Sequence, residues 1–264
     1  PVKIVLIFFS RFKIKIFNKL ISINNLKRNL IEKNAIQKIR EDSFSNKKDK
    51  LNLSEVTLVA VATIDVEKAA MAMRYSKIGI NFSECIFLSN YKPWNLSDDI
   101  KYKRIKAFND VEEWGKFIIY DLYNYINSKY IILVHDDGFI VNPSLWQKDF
   151  LKYDYIGAPW PHPRDNFSYR TNSGEIITVG NSVSLRSKKI LEMPSKLNLP
   201  WESFHGNFHE DGFLCVKNRD ILISKGIQFA DSKTAYRFSI ETKLDDFDNK
   251  ISFAFHKWFD NNKD

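Results

Sequence analysis

The chain has 264 residues, 44% hydrophobic and 14% aromatic, enough for one large α/β domain with a sizeable core, and its 27% charged content argues against wholesale disorder. The net charge of +8 is local, because residues 1–50 hold 13 Lys/Arg against 4 Asp/Glu while the remainder holds 27 against 28. A neutral body argues against a nucleic-acid surface, and two cysteines without a CxxC, Cys85 and Cys215, argue against a disulfide framework or a thiolate zinc site and fit a reducing cytoplasm.

Residues 1–50 read as a basic N-terminal arm and residues 51–264 as the body. The apolar run Ile4–Phe9 is too short to span a bilayer, and Arg11, Lys13 and Lys15 interrupt its continuation. Further on, Leu20, Ile23, Leu30 and Ile39 recur at helical intervals among basic residues. The arm is expected to be a basic amphipathic helix on an anionic membrane surface, making a peripheral contact on the inner face of the cytoplasmic membrane. A helix packed on the body and a solvated linker remain the alternatives.

From Leu51 the pattern changes. Val56–Ala62 is a β-branched, uncharged run, as in a strand buried on both faces of a parallel sheet. Thr63 or Asp65 is expected to cap the Ala-rich helix that follows. Short strands are expected at Cys85–Leu88 and Arg104–Phe108, and Asp110 is expected to cap a long helix whose apolar face includes Trp114, Phe117, Ile118, Leu122 and Ile126. Tyr130–Val134 (YIILV) reads as another fully buried strand. This alternation predicts an α/β fold, a Rossmann-like sheet flanked by helices with right-handed crossovers. The second half, rich in aromatics, Pro and Gly, reads as a short strand at YDYIGAPW followed by a long irregular loop holding Trp160, His162, Arg164 and Tyr169.

The chemistry is expected at the end of YIILV, where the chain turns to His135-Asp136-Asp137-Gly138. Ligands of open α/β sheets bind outside the carboxyl ends of the strands. Adjacent carboxylates there suit a divalent cation holding a diphosphate, either Mn²⁺ or Mg²⁺, although Asp-Gly is also a common turn pair. Downstream, Glu210-Asp211 stands at an expected helix start, where the helix dipole favours carboxylates and a general base could equally stand. His256 lies in the apolar run ISFAFHKWF and reads on its own as a hydrogen-bonded core histidine or a ligand. Between them, Gly180 would let backbone approach a ligand, and Arg186 is either a phosphate contact or a salt-bridge partner.

This order of features, carried by ILVHDDGFIVNPSLW, YDYIGAPW, VGNSVSLRS and HEDGFLC, resembles that of GT-A glycosyltransferases. More narrowly, residues 54–259 resemble a poorly characterised bacterial family of glycosyltransferase-like proteins associated with surface-polysaccharide genes. The resemblance implies a mixed, mostly parallel sheet. It implies that Asp137 is the metal-binding acid of the DxD motif, with Asp136 in the middle position and His135 where the first Asp usually stands. It implies that Gly180 and Asn181 lie beside the donor sugar, that Asp211 is the base with Glu210 beside it, and that His256 is a second metal ligand. A nucleotide-diphospho-sugar would lie across Ala62, Thr63 and Asp65, with Arg186 on the donor side. Trp160 and Tyr169 would stack on the acceptor, a glycan or a lipid-linked sugar. Transfer to an acceptor hydroxyl would then invert the anomeric centre. Two other readings stay open. A nucleotidyltransferase would carry a Gly-rich loop after the first strand, where this chain reads VATIDVEKA. A non-catalytic nucleotide-sugar or carbohydrate-binding protein would keep the fold without turnover.

Overall fold

A computed structural model describes residues 50–202, 209–247 and 251–257, without the side chains of residues 179, 181 and 182. The expected helix of the basic arm lies outside the described residues. Six strands form the main sheet in the order β3-β2-β1-β4-β7-β6. These are β1 (Leu51–Val61), β2 (Ile80–Ser89), β3 (Lys101–Arg104), β4 (Tyr130–Val134), β6 (Tyr155–Pro159) and β7 (Val179–Ser187). β1 pairs in parallel with both β2 and β4, β2 pairs in parallel with β3, and β7 runs antiparallel between β4 and β6. The mixed, mostly parallel sheet flanked by helices is therefore the architecture expected from the sequence.

The buried strands explain themselves by alternation. Along β1, Val56, Leu58 and Ala60 enter the core on one face, with Ala69, Ala70 and Met73 of helix α1 (Val66–Ser76). Val59 and Val61 enter the core on the other face, with Ile118 of helix α2 (Val111–Tyr120). The part of the strand with a helix on each face has no polar side to present, which is why Val56–Val61 carries a single polar side chain, Thr57, while the exposed start of the strand holds Asn52, Ser54 and Glu55.

Some local expectations are corrected. The third strand is Lys101–Arg104, not Arg104–Phe108. It is an edge strand with mostly exposed side chains, so it needs no apolar run, and its charges discourage edge-to-edge pairing. Ile105 and Phe108 serve instead as loop residues packed against the core beneath α2. Asp65 does occupy the N-cap position of α1, but in a left-handed conformation (φ 50°) and without a capping hydrogen bond; its carboxylate pairs with Lys68 at 3.0 Å. The Thr63 hydroxyl accepts a hydrogen bond from the Phe108 amide at 3.1 Å and caps nothing. Asp110 caps α2 as expected, accepting from the Glu113 amide at 2.8 Å. The helix stops at Tyr120 and continues only as a 3₁₀ turn, Leu122–Tyr125.

After β7, helix α3 (Lys188–Lys196) starts at the Ser187 cap. One α-helical turn, α4 (Glu210–Gly212), runs directly into a π-helical turn, Phe213–Lys217, and then into α5 (Arg219–Ser224). Helix α6 (Ser232–Phe238) leads into a second, three-stranded sheet in the order β5-β9-β8. It joins β5 (Gly138–Ile140) antiparallel to β9 (Ala254–His256), with β8 (Ser239–Ile240) parallel on the other side. This small sheet fastens the C-terminal strand to the turn that follows β4. None of the helices among the described residues is long and apolar enough to cross a membrane.

Candidate functional site

The parallel strands β1, β2 and β4 end together, with Ala60 opposite Val134 and Val61 opposite Leu88. This common carboxyl edge carries Ala62–Asp65 after β1 and His135-Asp136-Asp137 after β4. Ala62 is tied down by its amide donating to the Leu88 carbonyl at 3.0 Å. Trp114 of α2 donates its indole N–H to the Val61 carbonyl at 2.9 Å, and its ring lies 5.4 Å from that of His135. Burial first, and then the charge of Asp137, push the Asp136 carboxyl above the usual carboxylate range; Asp65 adds to the effect and Lys68 opposes it. Asp65, Lys68 and Asp136 thus share one electrostatic neighbourhood.

Asp137 meets His256 because β5 and β9 pair Gly138 with His256. The His135–Gly138 turn is closed by two backbone hydrogen bonds, and the Lys257 amide donates to the Asp137 carbonyl at 2.9 Å. His256 Nε2 then lies 3.5 Å from Asp137 Oδ1, and its Nδ1 lies 3.6 Å from Glu241 Oε1. Lys257 pairs with that same Glu241 oxygen. The hydrogen bond from His256 lowers the Asp137 carboxyl. Burial alone would lower His256, but the two flanking carboxylates outweigh it and raise the imidazole to about 9. Gly138 is needed for this approach, since a Cβ there would collide with Val183 Cγ2 and stand 2.8 Å from His256 Cδ2.

A carboxylate oxygen and an imidazole nitrogen at this separation fit a divalent cation, and Mn²⁺ accepts both donors. Among the described residues no cluster of three His, Cys, Asp or Glu side chains could hold a metal. Mg²⁺ and Mn²⁺ sites on substrates commonly complete their coordination with phosphate oxygens and water. Binding would release the proton that His256 now shares with Asp137.

The second acidic pair divides into two different residues. Glu210 is 3% exposed and accepts from Arg186 Nη2 at 2.8 Å. Arg186 is fully buried, donates from Nε to Ser184 Oγ at 2.8 Å, and lies with its guanidinium 5.2 Å from the Tyr155 ring centre. It stands opposite Ile131, near the start of β4 and away from the carboxyl edge. The phosphate-contact expectation for Arg186 is thereby corrected to the salt bridge, and Glu210 is its partner. Asp211 is half-buried, and its carboxylate accepts from the Gly212 amide at 2.7 Å. Burial and the neighbouring Glu210 charge raise its carboxyl to about 8. The charges of Glu241 and Lys257 are felt at Asp211, so it belongs to the same neighbourhood as His256.

Gly180 and the long loop also differ from expectation. The close approach that Gly180 permits is to Trp160, whose Cη2 would collide with an added Cβ. Trp160 is buried and stacks on Tyr169, with ring centres 4.7 Å apart, so its faces are committed to protein and do not await a sugar. Tyr169 is only half-buried and feels the charge of Asp211, which keeps it beside the site. Asn181 lies in β7, and its side chain falls outside the described residues.

Sequence reasoning missed Glu241, Lys257 and Trp114. Trp114 carried a periodic signal, but only for burial. Glu241 follows a two-residue strand that no pattern marks, and nothing in the local sequence ties it to His256.

Comparison with known proteins adds a family and a distant likeness. Residues 99–256 match the model of the family described as protein of unknown function (DUF5672), a segment that contains Asp137, Asp211 and His256. No curated protein matches the chain. Among solved structures it is similar to the apo form of the glycosyltransferase GlyE of Streptococcus pneumoniae TIGR4, at 10% identity and a TM-score of 0.44 over 78% of this chain. The match covers 55% of that protein, so this chain spans little more than half its length.

Proposed function

The chain belongs to the DUF5672 family, whose description assigns no activity, and we propose that it is a glycosyltransferase. In this reading it moves a sugar from a nucleotide-diphospho-sugar to a hydroxyl of a glycan or lipid-linked acceptor, with inversion, in surface-polysaccharide synthesis. The observation that carries the reading is the Asp137–His256 pair, a carboxylate and an imidazole 3.5 Å apart at the carboxyl edge of the parallel strands. Asp137 and His256 would hold the divalent cation, which supplies charge neutralisation for the departing diphosphate. Ala62, Thr63 and Asp65 bound the donor from the β1 side, and Asp136 from the β4 side.

Asp211 has the character of a proton acceptor. Raised to about 8, its carboxyl is a stronger base than a surface aspartate once ionised, and the ionised fraction that can take the acceptor proton grows as pH rises toward that value. In the transfer, the acceptor oxygen forms its bond to the anomeric carbon as the bond from that carbon to the diphosphate oxygen breaks. The hydroxyl proton passes to Asp211, and the nucleoside diphosphate leaves. Tyr169 borders the acceptor side. The basic arm would bring the enzyme to the anionic inner face of the cytoplasmic membrane, where lipid-linked acceptors reside.

The test is binding of a panel of nucleotide-diphospho-sugars followed by thermal unfolding, with and without Mn²⁺, on wild type, Asp137→Ala and Asp211→Asn. A ligand at 100 times its Kd adds ~2.7 kcal/mol of apparent stability. The expected result is Mn²⁺-dependent stabilisation by one nucleotide class, lost in Asp137→Ala and kept in Asp211→Asn. If no nucleotide sugar stabilises the protein at any Mn²⁺ concentration, the transferase reading fails. One observation favours a second reading, a nucleotide-sugar-binding protein without turnover: the Asp137 charge is already matched by His256 without any cation. Release of nucleoside diphosphate in the presence of acceptor decides between the two.

A further inference from the structure

Resting on the metal-site reading above, we propose that Glu241 and Lys257 are the positioning residues of that site: Glu241 orients the His256 ring so that Nε2 faces Asp137, and Lys257 locks Glu241 and the Asp137 backbone in place. Geometry carries the assignment. A histidine that ligates a metal through one ring nitrogen nearly always offers the other to a carboxylate or carbonyl, which fixes the ring and its basicity. His256 stands between two carboxylates, with Asp137 Oδ1 at 3.5 Å from Nε2 and Glu241 Oε1 at 3.6 Å from Nδ1; the second is an ion-pair separation longer than a hydrogen bond, so Glu241 is the carboxylate that faces the buried Nδ1 without a hydrogen bond closed to it. The His256 side chain is 9% exposed, and its ring is flanked by that of His135, with ring centres 5.5 Å apart.

Glu241 is costly where it stands. Its side chain is 8% exposed, and a carboxylate that buried persists as an ion only when it is paired. Lys257 supplies the pairing from the residue next to His256. Lys257 also adopts a left-handed backbone conformation (φ 62°), which residues with a Cβ take up at a cost. That conformation coincides with its amide donating to the Asp137 carbonyl at 2.9 Å. One residue thus reaches both members of the site, Asp137 through its backbone and Glu241 through its side chain. A buried carboxylate used only for stability would have no need of a strained residue that also grips the opposite ligand.

Mn²⁺ binding to the purified full chain, followed by electron paramagnetic resonance of the free ion, tests the proposal without any turnover. The variants are Glu241→Gln, Lys257→Met and Asp137→Ala, each with its thermal midpoint measured. Wild type is expected to bind Mn²⁺, Asp137→Ala to lose binding, and Glu241→Gln to bind about 10- to 100-fold more weakly. Lys257→Met, whose ammonium is largely exposed, should stay folded and weaken Mn²⁺ binding in the same direction, so the proposal does not hang on the buried variant. Wild-type affinity in both Glu241→Gln and Lys257→Met, beside lost binding in Asp137→Ala, overturns the positioning role and leaves the metal site standing. Absence of Mn²⁺ binding by folded wild type overturns the metal site and the positioning role together.

Discussion

At the scale of single residues, the carboxylates that sequence could point to were those placed by a strand end. Asp136 and Asp137 follow a fully apolar strand, and that context alone locates them at the carboxyl edge. Glu210 and Asp211 look equivalent in sequence but have different partners, the buried Arg186 guanidinium for Glu210 and the Gly212 amide for Asp211, because a one-residue step on a helical turn swings a side chain by about 100°. The depth of Arg186 is invisible in sequence, since only the pairing of β7 with β4 sets it opposite Ile131. A buried ion pair that loses one member leaves the other charge stranded, at a cost of ~3–5 kcal/mol. Arg186→Met should therefore lower urea stability by that amount, while Arg186→Met with Glu210→Gln should lose clearly less than the sum of the two single changes. Additive losses would mean that the pair is not coupled. Asp211 provides a second check. Its folded carboxyl is raised to about 8, so the folded state binds that proton more tightly than the unfolded chain, whose aspartates titrate near ~3.9. The stabilisation is complete below the unfolded value and is lost as pH rises through about 8. Asp211→Asn should accordingly flatten the fall in stability between those limits in pH-dependent urea melts, and an unchanged slope would show that the raised carboxyl is not there.

Among the elements, the buried parallel strands were legible because an unbroken apolar run of this length, bounded by helix patterns, fits a strand covered on both faces and little else. The edge strand Lys101–Arg104 was displaced from its expected place because an edge needs charge more than it needs apolar side chains. The strand β7 was legible as a strand, but the purpose of its glycine was not. Gly180 carries no side chain because Trp160 lies across it, and Tyr155, buried beneath, donates its hydroxyl to the Gly180 carbonyl at 2.8 Å. The tryptophan in turn stacks on Tyr169, so the glycine supports the root of the long loop. Overpacking at such a contact costs ~1–3 kcal/mol. Gly180→Ala should show that loss in denaturant unfolding, together with faster proteolysis within residues 161–178, whereas Trp160→Ala combined with Gly180→Ala should tolerate the added methyl. A Gly180→Ala protein with wild-type stability and loop protection would refute the packing role and return the glycine to ligand approach.

At the scale of the molecule, the site is assembled from parts that are far apart in sequence: the turn after β4, the helical turn at Glu210, and a strand near the C-terminus. Sequence shows each piece, but not that β5 and β9 pair, because strands of three residues are too short to carry a period. What joins them is aromatic packing. Phe253 is fully buried, 5.2 Å from Trp146 and 5.6 Å from Phe238 by ring centres, and its carbonyl accepts from the amides of Val141 and Asn142. Phe139, Phe253 and Phe255 belong to the same core cluster as Leu58 and Ala60 of the central strand. Two effects compete here. Strands this short would ordinarily fray first, since few backbone hydrogen bonds hold them. A shared apolar core instead makes the small sheet part of the main cooperative unit, and burial of three phenylalanines outweighs a handful of edge hydrogen bonds worth ~1 kcal/mol each. The nuclear magnetic resonance signal of the His256 imidazole should therefore disappear at the same urea concentration as the tryptophan fluorescence transition. Phe253→Ala, at a cost of ~3–5 kcal/mol, should shift both together. Loss of the His256 signal well before the fluorescence change would show instead that the C-terminal strand opens on its own, and that ligand binding must close it.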